Sequence, residues 1–173
     1  MKLTRELIEE TVKDRGYNWF DKGDYNLNIV GVRNSSTGDE VTNKFDDKIT
    51  LSYKVEGEWK FYSFDATTDP GRYWVENIMR VEGVACFKPG QYKSYRIDKH
   101  RGIYDCLAQR EGEVTVYRDN NKDGCYDLDD NNTQTGYFGI NIHRATARAG
   151  KKSTQVDKWS AGCQVIASND DWS

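Results

Sequence analysis

A histidine and a cysteine in the last third of the chain have the residue types and the spacing for thiol chemistry. His143 ends the apolar segment Gly139–His143, and sixteen residues then lead to Ser160-Ala161-Gly162-Cys163. A cysteine nucleophile requires a thiolate, and a neighbouring imidazole is the usual group that generates one near neutral pH. A glycine beside the cysteine lets a substrate approach the backbone, whose N–H groups can form an oxyanion hole. The pattern therefore predicts that Cys163 and His143 form a catalytic pair.

The order and spacing of these residues resemble the catalytic motif of the L,D-transpeptidase family. In that motif a histidine and a spacer of about this length precede Ser/Thr-His-Gly-Cys. Those enzymes act on the peptide stems of bacterial peptidoglycan through a thioester on the cysteine, and their fold is a β-rich sandwich. The resemblance implies that Cys163 is the nucleophile and His143 the base, with Ser160 and Gly162 as supporting positions. It implies no required cofactor.

The chain departs from the family motif on both sides of the cysteine. Ala161 stands where the motif has histidine, and Gln164 and Val165 stand where it has an apolar residue and then Arg or Asn. Because that basic residue is missing, recognition of a substrate carboxylate needs another cation, such as Arg144 or Arg148. The substrate-binding residues that we expect are Arg144, Asp157, Trp159 and Asp69.

Three segments are also similar to small proteins of tailed phages and gut bacteria that resemble peptidoglycan-cleaving enzymes. These segments are residues 64–71, 139–145 and 156–165. The similarity implies an endolysin-like hydrolase of a bacteriophage. Such a protein accumulates in the cytoplasm of the infected bacterium and acts on the cell wall after release. The first six residues contain no apolar signal core, in agreement with this hypothesis.

Other interpretations of the same residues stay open. His143 can be a satisfied histidine at a strand end, and Cys163 can be a buried thiol at a tight turn. Papain-like cell-wall peptidases use the same residue types, but in them the cysteine usually precedes the histidine. The main alternative function is a non-catalytic β-sandwich module that binds the cell wall or a virion partner.

The polar segment Asp119–Asp130 resembles a calcium-binding loop of the EF-hand type. Side chains with oxygen atoms stand at loop positions 1, 3, 5, 9 and 12, and Gly124 stands at position 6. The preceding residues predict a strand rather than a helix, and a solvated Asn/Asp turn is the alternative. If Ca²⁺ binds, we expect a structural role in ordering the loop that leads to His143. The candidate ligands are Asp119, Asn121, Asp123, Asp127 and Asp130.

The composition argues against several other functions. The 173 residues carry a formal net charge of −3, which argues against a role in nucleic-acid binding. The two histidines, His100 and His143, are too few for a zinc site built on several imidazoles. His100 itself is predicted to lie in a charged surface turn. No apolar run approaches the roughly 20 residues that a membrane-spanning helix needs, so we expect no membrane insertion.

The elements that must position the pair are mostly short strands. Residues 4–14 predict a helix capped by Thr4, and the later segments alternate with the period of β-strands. Glu56-Gly57 and Glu111-Gly112 are each predicted to close a hairpin. Further strands are predicted over residues 136–143 and 162–167. We therefore expect a mainly β, antiparallel sandwich or barrel-like fold of the L,D-transpeptidase type with a short N-terminal helix.

One domain is expected to span residues 1–173, with the helix in residues 1–16 and the β-rich body in 17–173. Ser168–Trp172 has the signals of a helix start, so the resemblance leaves open that the native chain continues past Ser173. The four cysteines show no Cys-x-x-Cys spacing and are expected to be reduced. Cys86 and Cys106 are predicted to be small core residues on strands.

Overall fold

A short amphipathic helix begins the described part of the chain. In the computed structural model, which describes residues 2–173, α1 spans Arg5–Asp14. The Thr4 hydroxyl accepts a hydrogen bond from the Leu7 N–H at 3.2 Å, so the predicted N-cap is confirmed. Ile8 and Val12 lie one turn apart and are both buried, as the apolar stripe predicts.

Strands dominate the rest of the chain, and the predicted fold class is confirmed. The strands are β1 (Asn28–Val32), β2 (Asp47–Val55), β3 (Glu58–Thr67), β4 (Val84–Phe87), β5 (Tyr95–His100), β6 (Tyr104–Gln109), β7 (Val114–Asp119), β8 (Thr133–Gly136), β9 (Ile142–Arg144) and β10 (Gln164–Ile166). Two short helices complete the fold, α2 (Arg72–Glu76) and α3 (Asn169–Trp172).

The strands form two sheets. A seven-stranded sheet has the order β1-β2-β3-β10-β9-β6-β5, and a three-stranded sheet has the order β4-β7-β8. Strands β2 and β3 form the hairpin predicted at Glu56-Gly57, where both residues have positive φ, as a two-residue turn of this type requires. All strand pairs are antiparallel except β9 and β10, which run parallel. Strand β9 of this parallel pair carries the candidate histidine, and β10 begins directly after the candidate cysteine.

The prediction of a hairpin at Glu111-Gly112 is wrong. Strand β6 pairs with β5 and β9, whereas β7 belongs to the other sheet and pairs with β4 and β8. The N–H groups of Arg110 and Glu111 both donate to the Ser94 carbonyl at 3.0 Å. These bonds fasten the end of β6 to the segment before β5, and the chain then crosses to the three-stranded sheet.

Two further boundaries differ from the predictions. The turn that joins β5 to β6 comprises Arg101, Gly102 and Ile103, and the first two have φ of +50° and +73°. The strand predicted over residues 136–143 is divided into the end of β8 and the start of β9. The N–H groups of Phe138 and Ile140 between them donate to the Gln109 side chain instead of a neighbouring strand.

The core consists of three apolar clusters that lie against the two sheets. One contains Val84 and Cys86 of β4, and a second is centred on Val114 and Val116 of β7. The third packs β2, β3 and β10 together through Ile49, Ala66 and Ile166. Cys86 and Cys106 are buried strand residues as predicted, and all four cysteines are free thiols. Within residues 2–173, no helix has the length and apolar character needed to cross a membrane.

Candidate active site

The parallel pairing of β9 and β10 brings the predicted histidine and cysteine together. His143 is the register partner of Val165, and Cys163 lies two residues before Val165. Cys163 itself lies in the turn directly before β10, where the Asn141 backbone N–H, two residues before His143, reaches the thiol. The strand pairing thus places the turn that carries Cys163 beside the segment that leads to His143.

His143 is buried and is held in one tautomer. Its ring is 3% exposed, and Nδ1 lies 2.8 Å from the carbonyl oxygen of Arg144. Because a carbonyl can only accept, Nδ1 carries the proton and Nε2 keeps its lone pair. The Tyr104 hydroxyl lies 3.2 Å from Nδ1 and donates to the same carbonyl at 3.3 Å. Burial lowers the pKa of His143 to about 4, so the ring is a neutral base at pH 7.

The Cys163 thiol is protonated in the resting structure. Its Sγ donates to the Gly139 carbonyl at 3.4 Å. Burial raises the pKa of Cys163, and the Asn141 backbone N–H, which favours the thiolate, offsets only part of that effect. Among residues 2–173, no hydrogen bond joins this thiol to the His143 ring. The resting site therefore contains a neutral thiol and a neutral imidazole and no thiolate–imidazolium pair.

A buried serine shapes the turn before the cysteine. The Ser160 hydroxyl donates to the Cys163 carbonyl at 2.7 Å and accepts from the Gly162 N–H at 3.1 Å. Gly162 has φ of +132°, and a Cβ there would lie 2.7 Å from the Ala85 carbonyl oxygen. Glycine is therefore required at this position by its conformation and by its packing on β4.

The same turn determines which N–H can stabilise an oxyanion. The Gly162 N–H is occupied by Ser160. The Cys163 N–H donates to no acceptor within the part of the chain that the structure describes. The available oxyanion donor next to the thiol is thus the N–H of Cys163 itself.

His100 belongs to this site, and the prediction of a surface turn is wrong for it. The ring is partly buried at the end of β5, and its centroid lies 4.1 Å from that of His143 in a stacked arrangement. Its Nδ1 lies 3.2 Å from the Asn141 side-chain Nδ2. The sequence feature that could have indicated this position is Arg101-Gly102, because a turn there closes the β5–β6 hairpin and pairs His100 with Tyr104.

A buried glutamine holds the segment that leads to His143. The Gln109 side chain is 1% exposed and accepts from the N–H groups of Phe138 at 3.2 Å and Ile140 at 3.1 Å. Its Nε2 donates to the carbonyls of Gly112 at 3.1 Å and Gly136 at 2.8 Å. These four bonds fix the backbone around the carbonyl that receives the Cys163 thiol. Nothing in the sequence marks Gln109 as a site residue, because a glutamine at the end of a strand has no distinctive local pattern.

Two of the expected substrate-binding residues lie in the segments that carry the candidate pair. The Arg144 guanidinium lies 4.4 Å from the centroid of the Tyr104 ring, whose hydroxyl contacts His143. It also donates to the Asn169 side chain at 2.6 Å, which fixes its orientation. Trp159, in the loop before the cysteine, is 46% exposed. The cation whose charge acts on His143 and on Cys163 is Arg101, in the turn after β5.

The other two expected residues serve the packing of loops. Asp69 is buried and forms an ion pair with Arg33 at 2.8 Å, so it is not exposed to bind a substrate. Desolvation raises the pKa of Asp69 to about 6. The Asp157 carboxylate accepts a hydrogen bond from the Asn43 side chain at 2.6 Å. The Asp157 backbone packs closely against Gly71, where a Cβ would lie 2.1 Å from the Asp157 carbonyl oxygen. The structure brings neither carboxylate to the thiol.

The acidic loop brings four of its five candidate ligands together. Asn121 donates to Asp123 at 3.1 Å and to Asp127 at 2.8 Å, and the buried Asp119 accepts from the Asp127 N–H at 3.4 Å. Asp130 points elsewhere, accepting from Lys88 at 2.8 Å and Tyr117 at 3.2 Å. No group of three or more acidic, histidine or cysteine side chains within residues 2–173 has the arrangement of a metal site. Calcium binding stays a prediction for this loop.

Comparison with known proteins adds no relative. No protein-family model, no curated protein and no solved structure matches the chain. Functional inference for this chain depends on the motif and on the site geometry.

Proposed function

We infer that the protein is a cysteine-dependent enzyme of the L,D-transpeptidase type that acts on the stem peptides of bacterial peptidoglycan. One observation carries this proposal. A thiol on a Ser-x-Gly-Cys turn directly precedes β10, the parallel partner of the strand that carries a buried histidine with its proton on Nδ1. This arrangement supports a nucleophile, a neutral base and an oxyanion donor on β9 and on the turn before β10.

The proposed reaction begins with a neutral thiol and a neutral imidazole. As Sγ of Cys163 attacks a peptide carbonyl carbon, Nε2 of His143 takes the thiol proton. The carbonyl oxygen gains the negative charge and accepts from the Cys163 N–H. The intermediate then expels the amine, to which His143 returns the proton, and a thioester remains on Cys163. The Nδ1–H bond to the Arg144 carbonyl orients the ring throughout and stabilises its protonated form.

The acceptor decides the outcome of the second half-reaction. Attack by water on the thioester gives hydrolysis, whereas attack by an amine of another stem gives a cross-link. The phage-like segments favour hydrolysis by an endolysin, acting on the wall after release from the bacterial cytoplasm. A bound Ca²⁺ at the acidic loop would order the chain without entering the chemistry.

Digestion of purified peptidoglycan, with products identified by mass spectrometry, tests the proposal. We expect new muropeptides from the wild-type protein. In Cys163→Ala the rate should fall by more than about a thousandfold, as for removal of a nucleophile. Cys125→Ala removes another partly exposed thiol and is the matched control, with an unchanged rate. Equal product formation by Cys163→Ala and wild type would refute the mechanism.

A ladder of aromatic rings favours a second candidate, the cell-wall binding module. Tyr25, Tyr53, Tyr62 and Phe64 stack in sequence on the β2–β3 hairpin, with successive centroids 5.8, 6.3 and 6.2 Å apart. Tyr25 is 66% exposed and Tyr62 is 45% exposed, and exposed apolar patches mark interaction sites. Co-sedimentation with insoluble peptidoglycan tests this candidate. Binding that Tyr62→Ser abolishes, together with no turnover by the wild type, would favour the module over the enzyme.

A further inference from the structure

The two histidines of the chain form one unit. His100 comes from β5 and His143 from β9, and β6 lies between these strands in the sheet. The ring centroids are 4.1 Å apart and the planes are inclined by 26°. No other histidine occurs in the sequence, so the stack joins all the imidazoles of the protein.

The tautomer of His100 follows from the hydrogen bonds of Asn141. The Asn141 Oδ1 accepts from the Gln109 backbone N–H at 3.0 Å, which fixes the orientation of the amide. Its Nδ2 therefore faces Nδ1 of His100 at 3.2 Å, and Nδ1 must accept. A neutral His100 thus carries its proton on Nε2, whereas His143 carries its proton on Nδ1 and keeps Nε2 free.

We propose that His100 is a positioning residue for His143, holding the catalytic ring by stacking and restricting the reaction to the state in which His100 itself is neutral. This inference rests on the proposed function. The neutral π face of His100 lies against the ring that becomes an imidazolium during attack, and such a face stabilises a neighbouring cation. No side-chain contact that the structure records joins His100 to the thiol, so its effect passes through His143.

Protonation of His100 would disable this arrangement in two ways. A proton on Nδ1 would face the Asn141 NH₂ group, so the hydrogen bond that holds the ring would be lost. Two positive rings at a separation of 4.1 Å would also repel each other. The two rings should therefore titrate as a coupled pair. The charged and titratable groups around them are Arg101, Tyr104, Arg144, Cys106 and Cys163.

Two substitutions separate stacking from titration. His100→Phe keeps an aromatic face and removes the titrating group, whereas His100→Ala removes both. Ile97→Ala, on the same strand with a side chain that is 76% exposed, is the control that should behave as wild type. The readouts are the NMR titration of the histidine Cε1 protons and the pH profile of muropeptide release. The two readouts are compared only over the pH range in which the NMR spectra show a folded protein, so that a loss of stability alone does not decide the result.

The expected results differ between the two variants. In His100→Ala, kcat at pH 7 should fall about tenfold with KM changed less than about twofold, because the oriented base is lost but substrate contacts are not. His100→Phe should recover most of kcat. In both variants the His143 resonance should titrate about one pH unit higher than in wild type, because the coupled charge is absent. The acid limb of the profile should instead move to lower pH, because protonation of residue 100 no longer disables the site.

The outcomes distinguish this inference from the proposed function. If wild type releases no muropeptides, the proposed function fails, and with it the catalytic part of the inference. The NMR titration still decides whether the two rings are coupled. If wild type is active but the His143 resonance and the acid limb are the same in wild type and both variants, the inference is overturned. Dispersed NMR spectra of both variants establish that they are folded.

Discussion

The buried neutral histidine makes the stability of this protein depend on pH in a calculable way. Burial lowers the pKa of His143 to about 4 in the folded protein, against an ordinary value of 6.5. Below pH 6.5 His143 is protonated in the unfolded chain, whereas in the folded chain it is protonated only below about pH 4. The free energy of unfolding contributed by His143 is therefore complete above pH 6.5 and is lost as the pH falls through this window.

The magnitude follows from the size of the shift. The pKa of His143 is about 4 in the folded protein and 6.5 in the unfolded chain. At about 1.4 kcal/mol per pH unit, this difference lowers the free energy of unfolding by about 3 kcal/mol between pH 7.5 and pH 4. Asp69 opposes this trend, because its pKa is raised to about 6 from 3.8 and the folded protein takes up a proton there first. The Asp69 contribution is common to wild type and to a His143→Gln variant, so it cancels in the difference between them.

Urea unfolding followed by tryptophan fluorescence at pH 7.5, 6, 5 and 4 measures this difference. Wild type should lose about 3 kcal/mol more than His143→Gln over the series. His100→Gln should keep more of the wild-type pH dependence than His143→Gln does, because the buried imidazole of His143 is still present. Parallel curves for wild type and His143→Gln would refute the assignment of a buried neutral imidazole.

Three further predictions concern the elements that support the site. Gln109→Leu leaves two N–H groups and two carbonyls of the site without their partner, and we expect a loss of about 4 kcal/mol in urea unfolding. Gln91→Leu, an exposed glutamine with two backbone bonds, should cost less than about 1 kcal/mol, and equal losses would contradict the role of Gln109. Gly71→Ala places a Cβ 2.1 Å from a backbone carbonyl oxygen and should cost at least about 2 kcal/mol, whereas Gly31→Ala, with its nearest atom at 3.4 Å, should cost less. If Ca²⁺ binds the acidic loop, 1 mM CaCl₂ should stabilise the protein by about 2 kcal/mol over a chelator, and Asp119→Asn should abolish the effect. Identical unfolding curves in calcium and chelator would exclude that site.

Local features of the structure were predictable where a short stretch of residues contains its own physical cause. Thr4 caps α1 through a neighbour three residues away, and Glu56-Gly57 closes the β2–β3 hairpin through positive φ. The turn from Ser160 to Cys163 belongs to the same class, since its hydrogen bonds join residues within three positions. Each of these features depends on residues that are close together in the chain.

The long-range features followed from the packing of the whole chain. The hairpin predicted at Glu111-Gly112 is absent because Ser94, seventeen residues earlier, holds the end of β6. Asp69 has the turn signals of a surface residue, yet its partner is Arg33, from a separate strand end. A polar residue at a strand end looks the same in sequence whether it meets solvent or a buried partner.

The candidate site combines both kinds of information. The sequence alone determined the chemistry available, because the types and order of His143 and Cys163 indicate a thiol and a base with a glycine turn beside the thiol. Only the tertiary structure decided that β9 and β10 run parallel, that His100 stacks on the base, and that the resting thiol is neutral. The physical reason is that strand pairing and desolvation depend on residues far apart in the chain, whereas the identity of a reactive group depends on one residue.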